Sequence, residues 1–120
     1  MLLVILLLIF EFVGDSTQQD TITQQDTITP LYPEVIAVEE TDITISCNYK
    51  GDINYLQWYR QFPGSRPECL LLILQSNMFV QNTSITTSRH TGAINEDKTR
   101  VDLKISSTEV TDSALYYCAL

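Results

Sequence analysis

Positive charge is scarce in this chain. Its 120 residues include 7 lysines and arginines against 15 aspartates and glutamates, which gives a formal net charge of −8. The basic residues are scattered along the chain and form no cluster. Proteins that bind nucleic acid or an anionic membrane surface present basic patches, so the charge pattern argues against both kinds of partner.

Histidine is almost absent, since His90 is the only one. Nucleophilic catalysis needs a nucleophile beside a base that a third group orients, and no such set can be argued from the spacing. A metal site would need several histidine, cysteine or carboxylate ligands at set spacing, and the sequence offers none. We therefore predict that the chain is not an enzyme and binds no cofactor, and that His90 is an ordinary strand residue.

No apolar run is long enough to span a bilayer, which takes about 20 residues. Residues 1–10 are apolar, and Glu11 then interrupts the run. Such a run followed by small residues is typical of a secretory signal peptide, although the usual basic residues before it are missing. Gly14 and Ser16 suit a cleavage site after Ser16, which predicts a signal peptide over 1–16 and one domain over 17–120. The alternative is that the run forms a buried first strand or helix.

Only three cysteines are present, and two of them frame a recognisable pattern. Cys47 is followed by Trp58, and Tyr116 stands two residues before Cys118. This order and spacing are typical of an immunoglobulin variable-type sandwich, in which a tryptophan packs on a disulfide between the sheets and a tyrosine closes a corner. The pattern also favours an oxidising compartment, where disulfides persist.

The remaining sequence fits an all-β, antiparallel sandwich. Apolar and polar residues alternate over 43–47, 56–59 and 101–105, as expected of strands with one face in a core. Further strands are predicted at 34–38, 68–75 and 114–118, with turns at Pro63-Gly64 and Ser76-Asn77. Residues 18–23 and 24–29 repeat one hexapeptide, which predicts a first strand preceded by an extended lead. Cys69 lies in the apolar strand at 68–75, so we expect a buried, inert thiol there rather than a bridge between chains.

Three motifs resemble those of T-cell receptor alpha variable segments. They are Trp58-Tyr59-Arg60-Gln61, Pro63-Gly64 and the ending at 112–120, which reads DSALYYCAL. The resemblance implies a disulfide between Cys47 and Cys118, with Trp58 and Tyr116 in the core. It also implies a salt bridge between Arg89 and Asp112; the alternative for Arg89 is a solvated surface charge.

The resemblance further assigns two binding surfaces. Tyr59, Gln61, Pro67 and Tyr117 would pack on a beta chain variable domain, and alternation independently turns Tyr59 and Gln61 away from Trp58. Loops at 51–55 and about 74–79 would face a peptide presented by an MHC molecule. The residues in those loops are Gly51, Asp52, Ile53, Asn54, Tyr55, Gln75, Ser76, Asn77 and Met78. The alternatives are an ordinary exposed tyrosine and turns that are merely polar.

The resemblance implies a receptor on the extracellular side of the plasma membrane. Signalling subunits would be reached only through constant and membrane regions that this sequence does not contain. The final G strand of a variable domain is also missing, so we expect an open sheet edge and low stability. A delta chain, an immunoglobulin light chain and a non-rearranging immune receptor are the alternative roles. Asn82-Thr83-Ser84 is an N-glycosylation sequon.

Overall fold

The computed structural model describes residues 3–10, 26–32 and 34–120. Within those ranges every regular element is a strand, apart from a single 3₁₀ turn at Val110–Asp112. The strands are β1 (Leu3–Phe10), β2 (Thr27–Pro30), β3 (Glu34–Val38), β4 (Ile43–Lys50), β5 (Tyr55–Gln61), β6 (Glu68–Leu74), β7 (Val80–Asn82), β8 (His90–Ile94), β9 (Arg100–Ile105) and β10 (Ala114–Ala119). The predicted cleavage site after Ser16 and the first hexapeptide copy lie outside the described residues.

The strands form two sheets. The six-stranded sheet has the order β3-β1-β10-β5-β6-β7, and the four-stranded sheet has the order β2-β4-β9-β8. All strand pairs are antiparallel except β1 with β10. The predicted antiparallel sandwich is confirmed, and β10 is the last strand along the chain.

The core lies between the sheets and is built by alternation. On β4, for example, Ile45, Cys47 and Tyr49 are buried while the residues between them are more exposed. A disulfide joins Cys47 on β4 to Cys118 on β10, so a covalent bond links the two sheets. Trp58 is fully buried and is the direct cross-strand partner of Cys118, which places the indole beside the disulfide as the sequence predicts.

Strand β1 comes from the apolar run at the amino terminus. It pairs in parallel with β10, from Leu6 opposite Ala114 to Phe10 opposite Cys118, and antiparallel with β3. The full chain thus adopts the strand that the sequence left open as an alternative to a signal peptide. The expectation of an open edge at the last strand is wrong for this chain, because β1 pairs with β10 there. Cleavage concerns the processed chain, so the signal peptide over residues 1–16 stays a prediction.

Two short strands, β7 and β8, were not predicted. In β8 the backbone at Gly92 passes close to β6: a Cβ added there would lie 2.8 Å from a Leu71 methyl group. A side chain at this position would have to displace the buried Leu71 side chain, and glycine avoids that clash. Gly92 interrupts the apolar alternation that would otherwise mark the strand. His90 begins β8 and is buried, as a strand residue.

Candidate functional site

The outer face of the six-stranded sheet carries a cluster of tyrosine and glutamine side chains. Tyr59 on β5 and Tyr117 on β10 are direct cross-strand partners, and both alternate with buried residues. The Tyr117 hydroxyl donates a hydrogen bond to Oε1 of Gln61. The Tyr59 hydroxyl donates to Oε1 of Gln57 at 2.8 Å. We call Gln57, Tyr59, Gln61 and Tyr117 the tyrosine–glutamine face.

Hydrogen bonds hold the side chains of this face in place. Nε2 of Gln61 donates to the Ser65 carbonyl at 2.8 Å, so its amide is fixed between the phenol of Tyr117 and the β5–β6 turn. All four side chains of the face are only partly buried, which leaves ring and amide surface available. Aromatic residues with ordered polar partners suit the centre of a protein–protein interface. Pro67 is exposed and lies immediately before β6, which is the strand next to β5.

Cys69 lies closer to this face than the sequence suggested. It is the cross-strand partner of Tyr59 and is partly buried, whereas we expected a fully buried thiol. A bulge between Trp58 and Tyr59 shifts the register of β5 against β6 and places Cys69 opposite Tyr59. Burial still raises the pKa of the Cys69 thiol, against a weak hydrogen bond to the Leu71 carbonyl. The raised pKa keeps the thiol protonated and poorly nucleophilic.

The first predicted recognition loop, residues 51–55, connects β4 to β5 at one end of the sandwich. Asp52, Asn54 and Tyr55 are exposed there, as a binding loop requires. Ile53 is different: its side chain is 9% exposed and belongs to the core. The expectation that Ile53 faces a ligand is wrong, because an apolar side chain in a short loop gains more by burial than by exposure.

The second predicted loop lies beside the first and follows β6. Ser76 and Asn77 are exposed, and Oδ1 of Asn77 accepts a hydrogen bond from the Phe79 amide at 3.0 Å. Met78 is partly buried and packs against the core, so it presents less surface than Ser76 and Asn77. Phe79 is 56% exposed and presents the large apolar surface of this loop.

A third loop, residues 95–99, contributes to the same end of the molecule. Lys98 shares one groove with residues of both predicted loops, namely Asp52, Ile53, Asn54, Leu74, Gln75 and Ser76. Asn95 shapes the loop, since its Oδ1 accepts hydrogen bonds from the amides of Thr99 and Arg100 at 2.9 and 2.8 Å. Sequence analysis missed Lys98 because the β8–β9 connection shows only an ordinary polar turn.

A buried ion pair lies at the opposite end of the sandwich. Arg89 and Asp112 form two hydrogen bonds, of 2.9 and 3.0 Å, in a bidentate arrangement. The Asp112 side chain is 3% exposed, and Oδ2 also accepts from the Glu109 amide at 2.8 Å. The Tyr116 hydroxyl donates to the Asp112 carbonyl at 2.7 Å. These contacts fix the 3₁₀ turn immediately before β10 and thereby the start of that strand.

Burial and neighbouring charges shift the pKa values of three groups at this end. Burial alone would raise the pKa of Asp112, but hydrogen bonds from Arg89 and Glu109 and the charge of Arg89 outweigh it, so the pKa is lowered. Burial raises the pKa of the Tyr116 phenol, which therefore stays a neutral donor. Burial, with the charge of Arg60, lowers the pKa of His90. The arrangement stabilises an ionised Asp112 beside neutral Tyr116 and His90.

Asn82 ends β7, the edge strand of the six-stranded sheet. Asn82 and Ser84 are both exposed, so the sequon is accessible in the folded chain. Asn82 is the cross-strand partner of buried Leu71, which places it on the core side of the sheet, beyond the edge of the core. A sugar on Asn82 would therefore extend from the edge of the sandwich, away from the tyrosine–glutamine face.

No cluster of three or more histidine, cysteine or carboxylate groups capable of holding a metal ion occurs among residues 3–10, 26–32 and 34–120. Across the same described part of the chain, none of the helical segments has the length and apolar character needed to cross a membrane.

Known proteins share this sequence pattern. A family model described as the immunoglobulin V-set domain matches residues 32–120. T cell receptor alpha variable 8-6 of Homo sapiens is 27% identical over 110 residues, covering 91% of this chain and 88% of that protein. T cell receptor alpha variable 5 of Homo sapiens is 35% identical over 86 residues, covering 70% and 72%. T cell receptor alpha variable 38-2/delta variable 8 of Homo sapiens is 30% identical over 95 residues, covering 78% of each chain.

Proposed function

The chain belongs to the immunoglobulin V-set family and is homologous to T cell receptor alpha and delta variable segments, and from this membership we propose that it is the antigen-recognition variable region of a receptor alpha chain. Domains of this kind are non-enzymatic receptor domains, so the chain is not an enzyme. In the proposed role it binds a peptide presented by an MHC molecule while paired with a beta chain variable domain.

The observation that carries the proposal is the tyrosine–glutamine face. An aromatic and amide cluster on the outer side of a sheet suits pairing with a second sandwich, because the rings supply area and the amides supply directed hydrogen bonds. The exposed loop residues Asp52, Asn54, Tyr55 and Ser76 lie at one end of the same sandwich, where a paired domain would add its own loops. Small polar and tyrosine side chains suit recognition loops.

Sequencing lymphocyte transcripts across the Leu120 codon tests the receptor role. Variable sequences after Cys118, followed by a joining segment and a shared constant domain, are the expected result. One invariant continuation in every clone would contradict the proposal and indicate a fixed immunoglobulin-like receptor. A delta-chain role is the second candidate, because one relative carries both alpha and delta in its name. The constant domain found in the transcripts decides between alpha and delta.

Pairing gives a direct prediction for the tyrosine–glutamine face. Within a complete receptor chain, Tyr117→Ala should weaken association with the beta chain about tenfold or more, since buried interface tyrosines are often hot spots. Surface display of the pair in transfected cells measures the effect. Tyr32→Ala is the matched control, because Tyr32 is a 63% exposed tyrosine outside the face. Equal display of the two variants would count against this pairing surface.

We also propose that the chain enters the secretory pathway through a signal peptide over residues 1–16 and resides on the extracellular side of the plasma membrane. The disulfide between Cys47 and Cys118 supports this location, since such bonds persist in oxidising compartments. The exposed sequon at Asn82 provides a test that depends on the same location.

Asn82 is expected to carry an N-linked glycan when the full chain is expressed in mammalian cells. Peptide N-glycosidase F should then increase the gel mobility of the protein. Ser84→Ala destroys the sequon without touching Asn82 and should abolish the shift, whereas Ser84→Thr keeps the sequon and should preserve it. A wild-type chain recovered from the secretory pathway without any shift would show that Asn82 is not modified.

A further inference from the structure

Gln75 makes three hydrogen bonds, of which two join the predicted recognition loops and one reaches strand β4. Its backbone N–H donates to the Asn54 carbonyl at 3.0 Å. Its side-chain Oε1 accepts from the Ile53 amide at 3.0 Å. Its Nε2 donates to the hydroxyl of Tyr49 at 3.4 Å. A single residue of the second loop therefore contacts two consecutive residues of the first loop and the buried Tyr49 near the end of β4.

The partners of Gln75 are themselves anchored in the core. Tyr49 is 4% exposed and Ile53 is 9% exposed. An uncharged amide matches both partners, because its oxygen accepts from the Ile53 N–H while its nitrogen donates to the phenol. A buried N–H without an acceptor is costly, so the Ile53 amide depends on the oxygen of Gln75. The side chain of Gln75 is partly buried and is directed inward toward these groups.

We propose that Gln75 is a positioning residue that clasps the two loops into one rigid unit, rather than a residue that contacts the ligand. The exposed side chains of Asp52, Asn54 and Ser76 are then presented at fixed relative positions above the clasp. This role in recognition rests on the proposed function, although the clasp itself does not. Loops that are ordered before binding lose less conformational entropy on binding, which is how the clasp would favour recognition.

The clasp also fixes one wall of the groove that Lys98 completes. The two joined loops line this groove with Asp52, Asn54 and Ser76. Lys98 lines it from the separate β8–β9 connection. The third loop is tied to the same strand, because the Tyr49 amide donates to the Thr99 carbonyl at 2.9 Å. Tyr49 thus bears both attachments, one through its hydroxyl and one through its backbone.

Amide hydrogen exchange of the full 120-residue chain tests the proposal. Gln75→Met keeps the length of the side chain but removes both of its polar atoms, and it should speed exchange of the Ile53 amide about tenfold, the loss expected for one hydrogen bond. Amides in the centre of β9 should keep their wild-type exchange rates. Gln75→Glu should retain slow exchange at Ile53, because a carboxylate accepts from both the amide and the Tyr49 hydroxyl. Ser76→Ala, at an exposed neighbouring position, should change nothing.

Two results would overturn the clasp. One is an unchanged Ile53 exchange rate in folded Gln75→Met. The other is an equal acceleration at Ile53 and throughout β9, which would mean that Gln75 acts only on global stability. If Gln75→Met does not fold, Gln75→Ala replaces it, since it also removes the acceptor of the Ile53 amide, and the same two results decide. The exchange experiment needs no antigen or partner chain, so its result tests the clasp independently of the proposed receptor role.

Discussion

Replacing both Cys47 and Cys118 by alanine is expected to lower the free energy of unfolding by about 4 kcal/mol. The disulfide closes a loop with a sequence separation of 71 residues, and the chain-entropy estimate for a loop of that length is about 4 kcal/mol. Domains of this size have only about 5–15 kcal/mol in total. The loss is therefore a large share of the total stability, and the double variant should unfold at a markedly lower urea concentration than the wild type.

The bond also lies at the centre of the core, which adds to its effect. Both cysteines are fully buried, and Cys118 pairs with the fully buried Trp58. Alanine at both positions removes two sulfur atoms from the contact with the indole and leaves part of that space empty. Empty space in a core costs further stability beyond the lost cross-link.

Urea unfolding of the oxidised chain, followed by Trp58 fluorescence, measures this loss. Cys69→Ala is the matched control, because it removes a cysteine that forms no disulfide and is only partly buried. That variant should unfold within about 1 kcal/mol of the wild type, as expected for a small change at a partly buried site. If the double variant and Cys69→Ala had the same midpoint, the disulfide would not be what holds the two sheets together.

The fold was predictable from the sequence because its strongest signals are local and redundant. Alternation at Ile43, Ile45 and Cys47 indicates a strand whatever the rest of the chain does. The pattern of Cys47, Trp58 and Cys118 then brings two sheets together around one core. Short edge strands lack such redundancy. In β7 the three residues from Val80 to Asn82 are too few to show a period.

The amino-terminal run was ambiguous for a physical reason. An unbroken series of apolar residues has no period, so the run itself does not distinguish a signal peptide from a strand, and only the small residues after it favour the signal peptide. Strand β1 (Leu3–Phe10) lies beside β10 because the backbones of β10 and β3 offer it hydrogen-bonding partners. No pattern within the run itself indicates those partners. The same limit explains Lys98, whose proximity to the two loops is set by strand pairing far from it in sequence.

Some residues of the predicted recognition loops pack inward and others are exposed, and composition does not distinguish the two groups. Ile53 and Met78 lie within predicted recognition loops, yet both pack on the core. Gln75 lies in the same segment and makes its contacts inward, to Ile53 and Tyr49. A loop sequence gives the residue types but not the direction of each side chain, because short loops have no repeating geometry. The exposed residues of these two loops, which are the candidates for ligand contact, are Gly51, Asp52, Asn54, Tyr55, Ser76, Asn77 and Phe79.

Asp112→Asn is expected to lower the free energy of unfolding by about 3 kcal/mol at pH 7. Breaking a buried ion pair by removing one charge typically costs about 3–5 kcal/mol. The lower end applies because the Arg89 side chain is 25% exposed and can be partly hydrated once its partner is gone. The amide of asparagine also directs N–H groups at the guanidinium or at the Glu109 amide, where the carboxylate had offered only acceptors.

The same variant should change how stability depends on pH. The pKa of Asp112 is lower in the folded chain than its ordinary value, so the unfolded chain binds its proton first as the pH falls. The contribution of Asp112 is thus fully present above about pH 4, the ordinary range of an aspartate, and is lost as the pH falls through the lower folded value. The wild type should therefore lose more stability than Asp112→Asn below about pH 4.

Denaturant unfolding of both proteins at several pH values between about 7 and 2.5 tests this sign. His90, whose pKa burial lowers, also destabilises the folded chain as the pH falls below about 6.5. It does so in both proteins, and more in Asp112→Asn, because the charge of Asp112 raises the pKa of His90. A larger loss in the wild type therefore cannot come from His90. Asp42→Asn is the matched control: Asp42 lies 3.9 Å from Lys104 with both side chains at least half exposed, and such pairs are worth under about 1 kcal/mol. A gap between wild type and Asp112→Asn that stays constant down to pH 2.5 would mean that the carboxylate charge contributes nothing, and that the hydrogen bonds alone fix the turn before β10.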